Sequence, residues 1–187
     1  MAPSAKPPAT WRNVKDALSS FDRSGLVGLL KDLHELSPEN QSFLGVRLCV
    51  AAAPLSPYKK VIERSIYPDL MKGRSVSVAK AKKAISAYRK ALGSPEGVAE
   101  LQVFYCEQAT SFAVECGYEN ESYFSALIRM FEEALVSVIG LPPVVQPGFF
   151  KRLDTVRESL VEVGWGVHDT LNDLWFDLLD EEVASKR

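Results

Sequence analysis

His168 is the side chain best placed to do acid–base chemistry, in the string Gly164-Trp165-Gly166-Val167-His168-Asp169-Thr170. Two glycines around a Trp mark a tight connection between helices, and Asp169 falls in the first turn that follows, where a carboxylate meets the positive end of the helix dipole. His168 shares a helical face with Leu171 and Trp175, three and seven positions on, which sets its imidazole against a core. One reading makes His168 an acid/base or ligand, its pKa lowered by burial and the helix N-terminus, beside Glu107 or Glu115 of a central helix. The other makes it a structural histidine bonded to a buried carbonyl or carboxylate. No nucleophile is paired with it in the sequence, so the structural reading carries more weight; His168, Glu107 and Asp169 are the catalytic candidates, and Trp165 reads as a packing anchor.

Charge supplies a second candidate. Between Tyr58 and Lys90 ten basic residues face two acids, a local net of +8 within a chain whose formal net charge is −2. The acidic residues concentrate after Asp154, and Asp169, Asp173, Asp177 and Asp180 fall on one stripe, which reads first as a solvated face. Lys59, Lys60, Lys72, Arg74, Lys80, Lys82, Lys83 and Arg89 form the candidate surface for a partner or for nucleic acid. A pI near 5.8 argues against a dedicated nucleic-acid protein, whose phosphate contacts need a field that the acidic remainder partly cancels. Pairing of basic with acidic faces, within the chain or between copies, is the weightier expectation.

Other chemistry lacks its signatures. GxxxxGK[ST], GxGxxG, HExxH and GxSxG are missing. Two widely separated histidines and three scattered cysteines (Cys49, Cys106, Cys116) give no metal-ligand spacing, and no Glu-x-x-His motif offers a di-metal bundle site. No cofactor is expected. The thiols read as reduced, buried small hydrophobes of a cytoplasmic protein. No run approaches the roughly 20 apolar residues of a membrane span, and MAPSAKPPAT lacks the apolar stretch of a secretory signal.

Helices must position these residues. Ser37-Pro38, Ser56-Pro57 and Ser94-Pro95 each place an N-cap hydroxyl before a Pro at the first helical position, and Gly93, Gly117, Gly140 and Gly164 stand where a left-handed residue would end a helix. The punctuation predicts helices near 10–20, 22–36, 38–52, 57–67, 77–92, 95–116, 121–139, 148–163 and 167–183. The segment 98–116 is apolar around most of its circumference and reads as the hub of the core. Ser75–Val78 alternates and is a weak candidate for a short extended segment. The fold class is all-α, a multi-helix bundle or a short stack of antiparallel helical hairpins of about nine helices. With 47% apolar and 25% charged residues in 187, the composition is that of one globular domain over 10–183, with a disordered tail over 1–9 and a frayed end over 184–187.

VAKAKKAISAYRKA (78–91), SPEGVAELQVFYCEQATSF (94–112), FEEAL (131–135) and GWGVHDTL (164–171), in this order, resemble a family of uncharacterised bacterial helical proteins classed as a domain of unknown function. The similarity covers about residues 58–180, and Val167 stands where a larger residue is expected. The resemblance implies a helical fold and a bacterial cytoplasm, with no activity, cofactor or partner attached. The leading expectation is a non-enzymatic protein-interaction module with a protein partner or a homo-oligomer; nucleic-acid binding through 58–90 and a small-ligand or enzymatic site at His168 are the alternatives.

Overall fold

The way the sequence punctuates its helices is largely how they start and stop. A computed structural model of the chain describes residues 10–48, 55–91 and 93–185. Among these residues it is all-α, with nine α-helices and no strand. The helices are α1 (Trp11–Leu18), α2 (Arg23–Leu36), α3 (Pro38–Arg47), α4 (Ser56–Ile66), α5 (Val78–Ala91), α6 (Pro95–Cys116), α7 (Glu121–Ile139), α8 (Gln146–Glu158) and α9 (Val167–Ser185), with one 3-10 turn at Leu70–Lys72. Ser37 and Ser94 cap as expected, accepting from the backbone N–H of Asn40 at 3.2 Å and of Gly97 at 3.3 Å. Gly93 and Gly117 are left-handed, at φ 63° and 57°.

Several expectations are corrected. Ser56 lies inside the first turn of α4, after Leu55, and makes no side-chain cap. Gly140 ends α7 in a right-handed conformation, and the side-chain amide of Gln146 satisfies carbonyls there, donating to Ile139 O at 2.9 Å and Leu141 O at 2.8 Å. α8 ends at Glu158 rather than at Gly164, and the left-handed residues of the next connection are Trp165 (φ 68°) and Gly166 (φ 64°). Ser75–Val78 forms no strand; the Ser77 N–H is taken up by Ser65 O at 2.8 Å. α9 runs through Ser185. Cys106 is buried, but Cys116 is exposed. Residues 1–9 and Cys49 lie outside the described residues.

The contacts divide the chain into two compact units, Met1–Ala52 and Ala53–Arg187. In the first, α2 packs on α3, and Asp22 caps α2 by accepting from Gly25 N at 2.7 Å. Neither α1 nor α2 has a buried residue, and Leu26, Leu29, Leu33 and Leu36 of α2 stay exposed. Among the described residues, all buried residues of the hydrophobic core lie in the second unit, from Ile62 to Leu171.

α6 is the hub of that second unit, packing on α4, α5, α7 and α8, while α9 packs on α7 and α8. Apolar residues around most of its circumference make this possible, since Leu101, Val103, Tyr105, Cys106 and Phe112 all lose their access to water. Phe112 gathers Tyr118, Tyr67 and Tyr123 at ring separations of 4.8, 5.2 and 6.0 Å, and each such pair adds about 0.5–1.5 kcal/mol beyond its burial. The hydroxyl of Tyr123 lies 3.1 Å from Ile66 O and 3.3 Å from Ala109 O, joining the end of α4 to the middle of α6.

Candidate functional site

Two carboxylates of α6, Glu100 and Glu107, stand seven positions apart on one face. Glu100 and Glu107 both reach Arg152 of α8, whose Nη1 donates to Glu100 Oε2 at 2.5 Å and whose Nε and Nη2 donate to Glu107 Oε1 and Oε2 at 2.7 and 2.8 Å. Lys59 of α4 completes the chain, donating to Glu100 Oε1 at 2.5 Å with its ammonium 4.9 Å from the centre of the Phe104 ring. The hydrogen bonds that Arg152 donates to Glu107 raise its pKa; burial opposes this, and those to Glu100 add to the rise. Burial alone would raise the carboxyl of Glu100, but the bonds from Arg152 and Lys59 outweigh it and hold the pKa below its ordinary value. Two cations pair with two anions, so the tetrad ties α4, α6 and α8 together.

The catalytic candidates are not brought together. Glu107 belongs to Arg152, and Glu115 accepts from the Tyr67 hydroxyl at 2.7 Å. That bond is the main cause of a Tyr67 pKa raised to about 12. His168 keeps 21% of its side-chain exposure, with Asp169 Oδ1 at 3.6 Å from Nδ1. The amide nitrogen of Asn172 lies 3.3 Å from both ring nitrogens, which is one shared contact rather than two bonds aimed at lone pairs. Asn172 accepts in turn from Arg157, which donates to Asp154 at 2.6 Å and stacks 5.7 Å from the Trp175 ring centre. His168 thus sits in a polar cluster that joins α8 to α9, with no hydrogen bond or ion pair to Glu107 or Glu115 among the described residues. The Cys106 thiol is buried, which pushes its pKa well above the ordinary value. Among the described residues no three His, Cys, Asp or Glu side chains converge on a metal-sized centre.

The basic segment is distributed differently. Lys59 is taken by Glu100, and Lys72 pairs with Asp69 at 2.8 Å. The other six expected cations, Lys60, Arg74, Lys80, Lys82, Lys83 and Arg89, have no carboxylate within 4.0 Å among the described residues, nor do Arg64 and Lys90. α5 contains five of these cations and no acid. Its buried face is Ala81, Ala84, Ile85 and Tyr88, and its open face is cations separated only by Ala79, Ser86 and Ala87. Lys80 and Lys82 stand near the N-terminus of α5, where the dipole disfavours positive charge. Among the described residues no cation of α5 pairs with the acidic stripe of α9: of Asp169, Asp173, Asp177 and Asp180, Asp169 has a basic side chain within 4.0 Å, the His168 ring at 3.6 Å, and the others have none.

No family model, curated protein or solved structure matches the chain. The chemistry of its own residues is then what separates one function from another. The tetrad escaped the sequence because charge pairing between helices far apart in the chain has no local mark. The one signal was Glu100, Phe104 and Glu107 at i, i+4 and i+7, which share a helical face.

Proposed function

We propose that the chain is a non-enzymatic interaction module that binds an acidic protein surface through the cations of α4 and α5. The observation that carries this reading is the run of eight cations, from Lys60 to Lys90, without a carboxylate partner among the described residues. Unpaired lysines cost the fold little when solvated, yet they repel one another on a helix with no acid to offset them, and an acidic partner removes that repulsion. Protein is favoured over nucleic acid because neither aromatic residue interleaved with these cations offers a free ring on which a base can stack: Tyr88 is 1% exposed, and half-buried Tyr67 packs on Phe112 with its hydroxyl on Glu115. The acidic stripe of α9 makes a second copy one such partner. The bacterial cytoplasm is the proposed setting, from the resemblance of 58–180 and from the unpaired thiols; no helix among the described residues is long and apolar enough to cross a membrane.

The test compares the full chain with Lys80→Glu/Lys82→Glu/Lys83→Glu in capture from a bacterial lysate and in sedimentation, at low and moderate salt. Salt-sensitive capture of a protein, or self-association, that weakens about tenfold or more in the variant supports the reading. Salt-sensitive binding of a short duplex or single strand by fluorescence anisotropy, with no protein captured, transfers the face to nucleic acid.

A further inference from the structure

α9 has two faces of opposite character. Val167 and Leu171 are buried, Leu174, Trp175 and Leu178 pack against the core, and Trp175 meets Phe150 and Phe131 at ring separations of 5.9 and 6.5 Å. On the opposite side Asp169, Asp173, Asp177 and Asp180 are exposed, and Phe176 stands among them, 58% exposed. Asp173, Asp177 and Asp180 have no cation within 4.0 Å among the described residues. Aspartates alone make a solvated face. A phenyl ring in their midst adds apolar surface that nothing in the chain buries, and such a ring is the kind of side chain enriched at the centre of interfaces.

α5 presents the matching relief. Lys83, Ser86, Ala87 and Lys90 are all exposed and stand at i, i+3, i+4 and i+7, the four corners of a hole that receives one side chain of a neighbouring helix. Two corners are small and two are charged. Lys83 and Lys90 lie seven positions apart on either side of Ser86 and Ala87, and Asp173 and Asp180 lie seven positions apart on either side of Phe176. Both intervals are about 10 Å at 1.5 Å per helical residue. A Phe176 ring seated over Ser86 and Ala87 therefore brings one carboxylate to each lysine, whichever way the two helices run, and the lysine methylenes flank the ring. The two faces do not meet within one chain: α5 packs on α4 and α6, α9 packs on α7 and α8, and both open faces turn away from the core they share.

We infer that α9 of a second copy docks on α5, with Phe176 in the hole formed by Lys83, Ser86, Ala87 and Lys90 and with Asp173 and Asp180 on the two lysines. The inference rests on the reading of α4 and α5 as a face for an acidic protein, and it names that protein as the chain itself. One helix pair closed by exposed ion pairs is a small interface, so the association is weak and salt-sensitive.

Sedimentation velocity of the full chain over a concentration series, at about 50 mM and about 200 mM salt, tests it. The expected result is self-association that weakens at the higher salt. Lys83→Glu/Lys90→Glu and Asp173→Lys/Asp180→Lys should each weaken it about tenfold or more, and Phe176→Ser about fivefold or more. Combining the four charge changes in one chain rebuilds the ion pairs with reversed sign and should return the association to within about threefold of the wild type. All five positions are exposed, so the variants keep the fold, which far-ultraviolet circular dichroism verifies. Association that survives the paired variants, or that fails to return in the four-fold one, overturns the inference. A chain that stays monomeric at the lower salt yet captures an acidic protein through Lys80, Lys82 and Lys83 overturns this inference alone; a monomeric chain that captures none overturns the reading of the face as well.

Discussion

Arg152 and Glu107 meet side by side across the α6–α8 seam, with Nε on Oε1 at 2.7 Å and Nη2 on Oε2 at 2.8 Å. This two-point geometry belongs to a planar guanidinium, and an ammonium cannot reproduce it.

Arg152→Met therefore leaves Glu107 without its partner and Glu100 with Lys59 alone. A fully buried pair broken in this way costs about 3–5 kcal/mol. The Arg152 side chain is 32% exposed, and the expected loss is about 1–3 kcal/mol in urea unfolding. Arg152→Lys recovers less than half of it.

Acid should release the same contact. Glu100 has a folded pKa below its ordinary value of 4.5, so its contribution is complete above that value and disappears as pH falls through the lower, folded value. Urea midpoints of the wild type and Glu100→Gln, measured from pH 7 to pH 3, should differ most near neutrality and converge below about pH 4.5.

Gly97 is fixed by Tyr88. A Cβ at Gly97 would lie 1.9 Å from the Tyr88 hydroxyl and 2.5 Å from its Cζ, and Tyr88 is itself buried. Gly97→Ala should destabilise the chain by about 1–3 kcal/mol through overpacking. Adding Tyr88→Leu should then cost less than it does in the wild type, a coupling that a double-mutant cycle reads directly.

Trp165 holds a left-handed backbone at φ 68° and is 60% exposed. That conformation costs a bulky residue about 1–2 kcal/mol, while little of the ring is buried in return. Trp165→Gly should leave the melting temperature unchanged or raise it, and Trp165→Val should lower it.

The two described thiols should separate by access. In a Cys49→Ser chain, Cys116 should react with a thiol reagent at once, and Cys106, buried and with a raised pKa, only on unfolding.

The fold was legible wherever its determinants are local. Ser37, Ser94, Gly93 and Gly117 announce helix boundaries because a cap is a contact over three or four residues. Gln146 at the end of α7 and the left-handed Trp165 were not legible, since a carbonyl five to seven residues away or a strained φ leaves no pattern in residue type. The candidate surface divided on the same principle. The excess of cations over 58–90 is compositional and visible, whereas the loss of Lys59 to Glu100, 41 positions on, is a product of tertiary packing. His168 was placed against the core by periodicity, whereas the bond of Glu107 to Arg152, 45 positions away, has no local mark.

The central claim, an acidic protein partner on α4 and α5, is tested most directly by titrating the isotope-labelled chain with a short glutamate-rich peptide and following the backbone amides at about 50 mM and about 200 mM salt. The account predicts salt-sensitive shifts confined to α4, the 3-10 turn and α5, and absent in Lys80→Glu/Lys82→Glu/Lys83→Glu. Shifts elsewhere that survive in that variant, or no shifts at either salt, would contradict it.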